Sequence, residues 1–159
     1  MSEAIETIDE PFPHREIAEF LAEGLAGDDV VVIISTPERR RGLESHLARL
    51  GIELGDLERR GRASWCDSRR VLERILVDGL PDEAEFENVM KGILVDGFSM
   101  LPHQRVRTYH DLVDVLRDRG SLDAAVRVLR LWNRLCSEYE ELLLAYTVAE
   151  IYREKDCTV

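Results

Sequence analysis

The pentapeptide Ser35-Thr36-Pro37-Glu38-Arg39 directly follows a short apolar run, at the position where many nucleotide-binding proteins carry a phosphate loop. A loop that holds ATP needs glycines whose backbone N–H groups surround phosphate, a lysine for the β- and γ-phosphates, and a hydroxyl for magnesium. This pentapeptide has hydroxyls but neither glycine nor lysine, and it places a glutamate where phosphate would lie. The sequence therefore excludes ATP hydrolysis through such a loop. The simpler interpretation is that Thr36 caps the helix that Pro37 begins.

Arginines are concentrated at the starts of two predicted helices, as Arg39-Arg40-Arg41 and as Arg69-Arg70. Positive charge at a helix start opposes the helix dipole, so negative groups must offset it. Either a bound anion or neighbouring carboxylates such as Glu38 and Asp67 can do so. Local ion pairing is favoured because the chain is rich in carboxylates. The anion hypothesis stays open because both clusters would flank one crevice.

An imidazole and a carboxylate adjoin at His110-Asp111, the place in the sequence that most resembles an acid–base pair. A nucleophile should lie near such a pair, and the chain has no Gly-x-Ser-x-Gly elbow. Helix capping by this aspartate is therefore favoured over catalysis, and the same holds for Asp67. The remaining histidines lack metal-ligand spacing and are interpreted as surface residues: His14, His46 and His103.

Composition limits the class of partner. The 159 residues are 45% hydrophobic and 33% charged, and their formal charge of −11 opposes binding to nucleic acid or to an anionic membrane. The three cysteines, Cys66, Cys136 and Cys157, are far apart and odd in number, which argues against a disulfide framework or a zinc site. No signal peptide is recognisable, and no apolar run approaches the roughly 20 residues that span a bilayer. We therefore expect a soluble, cytoplasmic protein.

The elements that must position the candidate residues alternate between strand and helix. Residues 30–34 form a β-branched run without alternation, which predicts a strand buried on both faces. Further strands are predicted at 62–67, 104–109 and 141–148. Helices are predicted between them, with a single turn around 54–58. Their expected ranges are 14–26, 37–50, 68–77, 82–98, 111–119 and 121–136.

This alternation predicts an α/β fold, a mostly parallel open sheet with helices on both faces and right-handed crossovers. We expect residues 1–13 to form a flexible lead-in, 14–148 a single domain and 149–159 a C-terminal tail. Trp132 and Tyr146 are expected in the core, and the alternative is that they line a pocket. Ligands of such sheets bind at the carboxyl ends of the strands. The candidate ligand-binding residues expected there are Ser35, Thr36, Arg39, Asp67, Arg70, Tyr109, His110 and Asp111.

Several short motifs also follow one another in a characteristic order. They are Phe20-Leu21-Ala22-Glu23-Gly24-Leu25, Thr36-Pro37-Glu38-Arg39, Asp67, Ile75-Leu76-Val77-Asp78-Gly79-Leu80-Pro81-Asp82, Phe86, Arg105-Val106-Arg107-Thr108-Tyr109, Leu131-Trp132-Asn133-Arg134-Leu135 and Leu143-Leu144-Ala145-Tyr146. Their order over residues 15–148 resembles that of the MEDS domain, a sensory domain named for methanogens, methylotrophs and a DcmR-type, dichloromethane-responsive regulator.

The resemblance implies a RecA/KaiC-like fold without a P-loop, and the sensing of small hydrocarbon derivatives in signalling proteins. Two features depart from the family. Its longer N-terminal segment, with a histidine and a Phe-Tyr pair, is reduced here to Pro11-Phe12-Pro13-His14, so no role is assigned to His14. Relatives are often fused to kinase or DNA-binding modules, for which this chain has no room, so the resemblance implies output through a separate partner.

These observations predict a non-catalytic sensory or regulatory module of a prokaryotic signalling system, without a cofactor or a metal. It would bind a small, hydrocarbon-derived ligand and act through a kinase or a transcription regulator, alone or as a homodimer. No nucleic-acid or membrane partner is expected. The alternatives are a protein-interaction scaffold without a ligand, and a degenerate nucleotide-binding domain or cryptic enzyme that uses Asp67 and Asp111.

Overall fold

A computed structural model describes residues 12–94 and 104–146 of the chain. The elements in chain order are α1 (His14–Ala26), β1 (Val30–Ser35), α2 (Pro37–Arg49), α3 (Leu54–Arg59), β2 (Ala63–Asp67), α4 (Ser68–Ile75), β3 (Leu76–Val77), β4 (Leu80–Pro81), α5 (Glu83–Leu94), β5 (Val106–His110), α6 (Leu112–Asp118), α7 (Leu122–Glu138) and β6 (Leu143–Tyr146). The first eleven residues of the predicted lead-in, the C-terminal tail, His103 and Cys157 lie outside the described residues.

The main sheet has four strands in the order β2-β1-β5-β6, and every neighbouring pair is parallel. Ile34 of β1 lies opposite Cys66 of β2 on one side and His110 of β5 on the other. The predicted α/β fold with an open, parallel sheet is confirmed.

The sequence of β1 explains why the sheet is covered on both faces. All six residues of this strand are buried, and successive side chains point to opposite faces. Val30, Val32 and Ile34 join one hydrophobic core, and Val31 and Ile33 join another. An alternating polar residue would have been forced into one of these two cores, so the uninterrupted apolar run is what a central strand requires.

The two cores define two helical layers. Residues of α1, α2 and α3 pack in the first layer, and residues of α4, α5, α6 and α7 pack in the second. The chain therefore leaves β1 towards the first layer and β5 towards the second. Because β1 and β5 are neighbours, their connections separate there and leave a crevice at the carboxyl ends of the two strands.

The predicted helix over 68–77 is two residues too long. The helix ends at Ile75, because Leu76 and Val77 pair antiparallel with Pro81 and Leu80 in a small hairpin. The two turn residues, Asp78 and Gly79, have φ angles of 53° and 83°. An Asp-Gly pair with positive φ at both positions is the turn that a two-residue hairpin favours, and this local preference ends the helix.

Smaller differences concern the strand and helix ends. His110 is the last residue of β5 rather than the residue after the strand. The helix predicted over 37–50 ends at Arg49, and Leu50, which follows it, is 48% exposed. The predicted core position of Trp132 is confirmed, since this side chain is fully buried in the second layer.

Candidate functional site

A crevice of about 350 Å³ lies beyond the carboxyl ends of the central strands. Its walls come from the start of α2, the start of α4 and the α6 segment, so they meet where the connections of β1 and β5 separate. Open parallel sheets usually bind ligands at such a switch point. The lining residues are Thr36, Glu38, Arg39, Arg69, Val115, Asp118 and Arg119.

Asp111 does not cap its own helix, so the predicted role is wrong. It stands at the N-cap position of α6, but its carboxylate makes no capping hydrogen bond there. Instead Oδ2 accepts hydrogen bonds from the backbone N–H of Thr36 and from Nη1 of Arg39, each at 3.0 Å. Both donors lie at the positive N-terminal end of α2, which attracts a buried carboxylate more strongly than the short α6 does. Asp111 thus joins the end of β5 to the end of β1.

Thr36 is the N-cap of α2, as predicted. Its Oγ1 accepts a hydrogen bond from the backbone N–H of Arg39 at 3.2 Å, and Pro37 occupies the first helical position. The next residue, Glu38, also binds the helix start. A hydrogen bond from its own backbone N–H, with Arg69 nearby, holds the pKa of Glu38 below its usual range. Carboxylates of the chain therefore occupy positions that a phosphate takes at the helix start of many nucleotide-binding proteins.

Local ion pairing of the arginines, the favoured hypothesis, is what the structure contains. Arg40 binds both carboxylate oxygens of Glu58, at 2.6 and 3.0 Å, and its guanidinium lies 5.1 Å from the ring centre of Trp65. Arg69 pairs with Glu38 at 3.3 Å.

Two other arginines differ from the predicted site: one predicted residue lies outside the crevice, and one lining residue was not predicted. Arg70 is exposed and does not line the crevice. Arg119 lines it and forms no ion pair with the described part of the chain. The sequence analysis missed Arg119, because its position at the end of α6 becomes informative only when α6 is placed beside α2.

The surroundings of His110 disfavour a base role near neutral pH. The side chain is 6% exposed, and burial lowers its pKa to about 3. Its Nδ1 accepts a hydrogen bond from the backbone N–H of Leu112 at 3.1 Å, and its ring stands edge-on to Trp132 with 4.3 Å between ring centres. The carboxylate of Asp111 is held by Thr36 and Arg39, so the two adjacent side chains have different partners. The hypothesis of an acid–base pair at this site is wrong.

The other candidate residues separate into three environments. Ser35 is buried at the end of β1, where its hydroxyl donates to the Thr36 carbonyl and accepts from Nε1 of Trp65. Asp67 caps α4 by accepting from the backbone N–H of Arg69 at 3.0 Å. Tyr109 points into the first layer, where its ring packs edge-on to Phe12 and Tyr146.

Asp67 and Asp111 do not form a paired-carboxylate site. They end β2 and β5, and β1 lies between these two strands. Strand spacing of about 4.8 Å places their backbones roughly 10 Å apart. Each carboxylate also has its own separate partners. Within residues 12–94 and 104–146, no group of three His, Cys, Asp or Glu side chains is arranged to hold a metal ion.

Comparisons with protein-family models, with curated proteins and with solved structures find no match to this chain. The resemblance to the MEDS domain therefore stays a prediction. Across the part of the chain that the structure describes, no helix has the length and apolar character needed to cross a membrane.

Proposed function

We propose that this protein is a non-catalytic sensory or regulatory module. It binds a small molecule in the crevice at the carboxyl ends of β1 and β5 and acts through a partner protein. The observation that supports this proposal most directly is the position of Asp111, whose single carboxylate oxygen joins the start of α2 to the start of α6 beside the crevice.

This bond offers a means of signalling. Arg39 contacts Asp111 through only one of its nitrogen atoms within 3.5 Å, and its guanidinium also lines the crevice. A ligand that binds Arg39 competes with Asp111 for the same cation. The resulting change reaches α2 in one layer and α6 in the other, because Asp111 and Arg39 belong to segments on opposite faces of the sheet. A ligand shifts such an equilibrium only as far as it binds the two states differently.

The charges of the crevice favour a polar ligand. Three arginines line it, against the two carboxylates of Glu38 and Asp118. Arg119 in particular is exposed and has no ion pair among the described residues. We therefore infer that a hydrocarbon-derived ligand, if it binds here, carries a carboxylate or another acceptor group.

Thermal unfolding with a ligand panel tests the proposal. The panel contains ATP, GTP, small organic acids and small uncharged compounds. A compound at a hundred times its dissociation constant raises the free energy of unfolding by about 2.7 kcal/mol. We expect Arg119→Gln and Arg69→Gln to reduce the shift. The matched control is Arg41→Gln, an exposed arginine of α2 outside the crevice. Hydrogen exchange in α2 and α6 should change with the same compound.

Two results would contradict the proposal: stabilisation by none of the compounds, and a shift that both crevice variants retain in full. Stabilisation by a nucleotide, reduced in the same two variants, would instead support a degenerate nucleotide-binding domain.

A second candidate function, a protein-interaction subunit, is favoured by a different surface. A groove of about 590 Å³ lies where the C-terminal ends of α1 and α2 approach α3, at the opposite edge of the sheet from the crevice. Its apolar residues include Leu25, Leu50, Ile52 and Leu57. If this groove binds a second copy, Leu50→Glu will shift the molar mass measured by light scattering from dimer to monomer. A wild-type monomer would argue against self-association through this groove.

A further inference from the structure

Three side chains of β5 and α7 in the second layer each have a buried polar atom without a hydrogen-bond partner. They are Thr108 and His110 of β5 and Trp132 of α7, and their exposed fractions are 0%, 6% and 0%. In the part of the chain that the structure describes, Oγ1 of Thr108, Nε2 of His110 and Nε1 of Trp132 make no hydrogen bond. Buried polar groups in native proteins are nearly always hydrogen-bonded, so each of these requires an explanation.

The hydrogen bond of His110 with the backbone determines what its free nitrogen offers. Because Nδ1 accepts from the N–H of Leu112, it carries no proton. The ring is also uncharged near neutral pH, since burial lowers its pKa to about 3. The single ring proton must therefore lie on Nε2, which makes Nε2 a donor. The indole nitrogen of Trp132 is always a donor. Two buried donors and one hydroxyl, which can both donate and accept, thus lie in this layer without a hydrogen-bond partner.

The neighbours of these side chains within the sheet supply no acceptor. Thr108 lies in register between Val32 and Ala145, and His110 lies beside Ile34. All three neighbours are apolar and belong to, or pack against, the same core. The rings of His110 and Trp132 meet at an angle of 67° with 4.3 Å between centres. One N–H can contact the face of the other ring in this arrangement, but the second donor and the hydroxyl remain unsatisfied.

We propose that Thr108, His110 and Trp132 form a buried binding site for a small uncharged molecule that offers an acceptor oxygen. The occupant ranges from a single water molecule to an alcohol or ketone of a few atoms. Three polar groups match the number of hydrogen bonds that a buried water typically makes, about three. An anion is disfavoured because the fully buried carboxylate of Asp111 follows His110 directly. The site is separate from the crevice and does not depend on a crevice ligand.

Nuclear magnetic resonance tests the site in the full chain. Trp65→Phe leaves Trp132 as the one remaining tryptophan of the two in the sequence, so its indole N–H signal is unambiguous. We expect a cross-peak between this N–H and a long-lived water, or a saturable shift of the signal during titration with methanol or acetone. The first result identifies water as the occupant, and the second identifies an organic molecule.

Thr108→Val in the same background removes the hydroxyl and keeps the shape. We expect it to weaken methanol or acetone binding at least threefold, or to remove the water cross-peak, and to lower the midpoint of thermal unfolding. The control is Ser64→Ala, which removes a hydroxyl from the edge strand β2. The proposal is overturned if the Trp132 N–H contacts neither water nor probe. It is also overturned if Thr108→Val unfolds at a higher temperature, as expected when an unpartnered buried hydroxyl is removed. If Thr108→Val does not fold, the spectra of the Trp65→Phe protein alone show whether the Trp132 N–H contacts water or a probe, and so whether the proposal holds.

Discussion

Two ion-pair networks lie at the opposite ends of the strands of the sheet, here called the amino edge and the carboxyl edge. They differ in how many of their polar atoms are hydrogen-bonded. The amino-edge network consists of Arg107, Asp29, Glu23 and the Phe20 carbonyl. Nε of Arg107 binds Asp29 at 3.0 Å, and Nη1 binds the Phe20 carbonyl at 2.9 Å and Glu23 at 3.0 Å. The guanidinium also lies 4.9 Å from the ring centre of Phe20.

The carboxyl-edge network consists of Asp111, Thr36 and Arg39. One oxygen of Asp111 accepts both hydrogen bonds, and the other is buried without a partner in the described residues. Nε and Nη1 of Arg107 together donate three hydrogen bonds, so a movement of the guanidinium breaks several bonds at once. Asp111 has a single bonded oxygen beside an open crevice. The comparison indicates that the first network holds the fold through several bonds, and we propose that the second is the one that a crevice ligand would rearrange.

Replacing Arg107 should have the largest effect. Arg107→Leu leaves the carboxylate of Asp29, which is 18% exposed, without its cation. Breaking a buried ion pair from one side typically costs about 3 kcal/mol of unfolding free energy. Urea denaturation measures the loss. Arg15→Gln is the control, because its 79% exposed side chain pairs with Glu19 on the surface of α1 and should contribute about 0.3 kcal/mol. Equal losses in the two variants would contradict a structural role for the amino-edge network.

Gly24 tests how tightly Arg107 is enclosed. A Cβ at this position would lie 2.5 Å from Cδ of Arg107, so Gly24→Ala must displace the side chain and should cost about 2 kcal/mol. Gly92→Ala is the matched control in α5, where a Cβ meets nothing within 4 Å. That change should raise the unfolding free energy by about 0.5 kcal/mol through helix propensity. Opposite signs in urea denaturation sharpen the comparison, and a neutral Gly24→Ala would show that Arg107 has room to move.

Acidification should affect the carboxyl edge through His110. The pKa of His110 is about 3 in the folded protein and 6.5 in the unfolded chain. Between these values the unfolded chain binds a proton and the folded protein does not. The unfolding free energy should therefore fall by about 2 kcal/mol between pH 7 and pH 5 from this residue alone. The measurement compares the pH slope of the wild type with that of His110→Gln. Identical slopes would refute the contribution of His110.

Neutralising Asp111 should have the smallest effect. Asp111→Asn keeps an acceptor for the Thr36 N–H and loses the charge opposite Arg39, but it also removes the cost of a half-satisfied buried carboxylate. We expect a loss of about 1 kcal/mol in urea denaturation. Asp118 is 59% exposed and lies 3.7 Å from Nη2 of Arg39, so Asp118→Asn should change the unfolding free energy little. If Asp111→Asn lowered the unfolding free energy as much as Arg107→Leu does, the two networks would contribute equally to stability and the comparison would be contradicted.

Much of the fold followed from short stretches of sequence. The apolar run 30–34 predicted a strand buried on both faces, and Thr36-Pro37 predicted the cap and first residue of α2. Asp67 as the cap of α4 and the core position of Trp132 were predicted correctly too. The Asp78-Gly79 turn was present in the sequence as a hairpin signal, but the helical spacing before it obscured the end of α4.

The candidate site was only partly predictable. Sequence reasoning placed Ser35, Thr36, Arg39 and Asp111 at the carboxyl ends of the strands, where they lie. It could not show that Asp111 binds a backbone N–H 75 residues earlier, or that Tyr109 and His110 point to opposite layers with separate partners.

The sequence by itself determined the four strands of the main sheet, the helix starts and the absence of a phosphate-loop motif, because these depend on residues within a few positions of one another. The tertiary structure decided which carboxylate neutralises which arginine, that Arg119 lines the crevice, and that polar atoms of Thr108, His110 and Trp132 are buried without partners in the second layer. Those outcomes depend on strand order and register. In the order β2-β1-β5-β6 the ends of β1 and β5 become neighbours, although 75 residues separate Thr36 from Asp111.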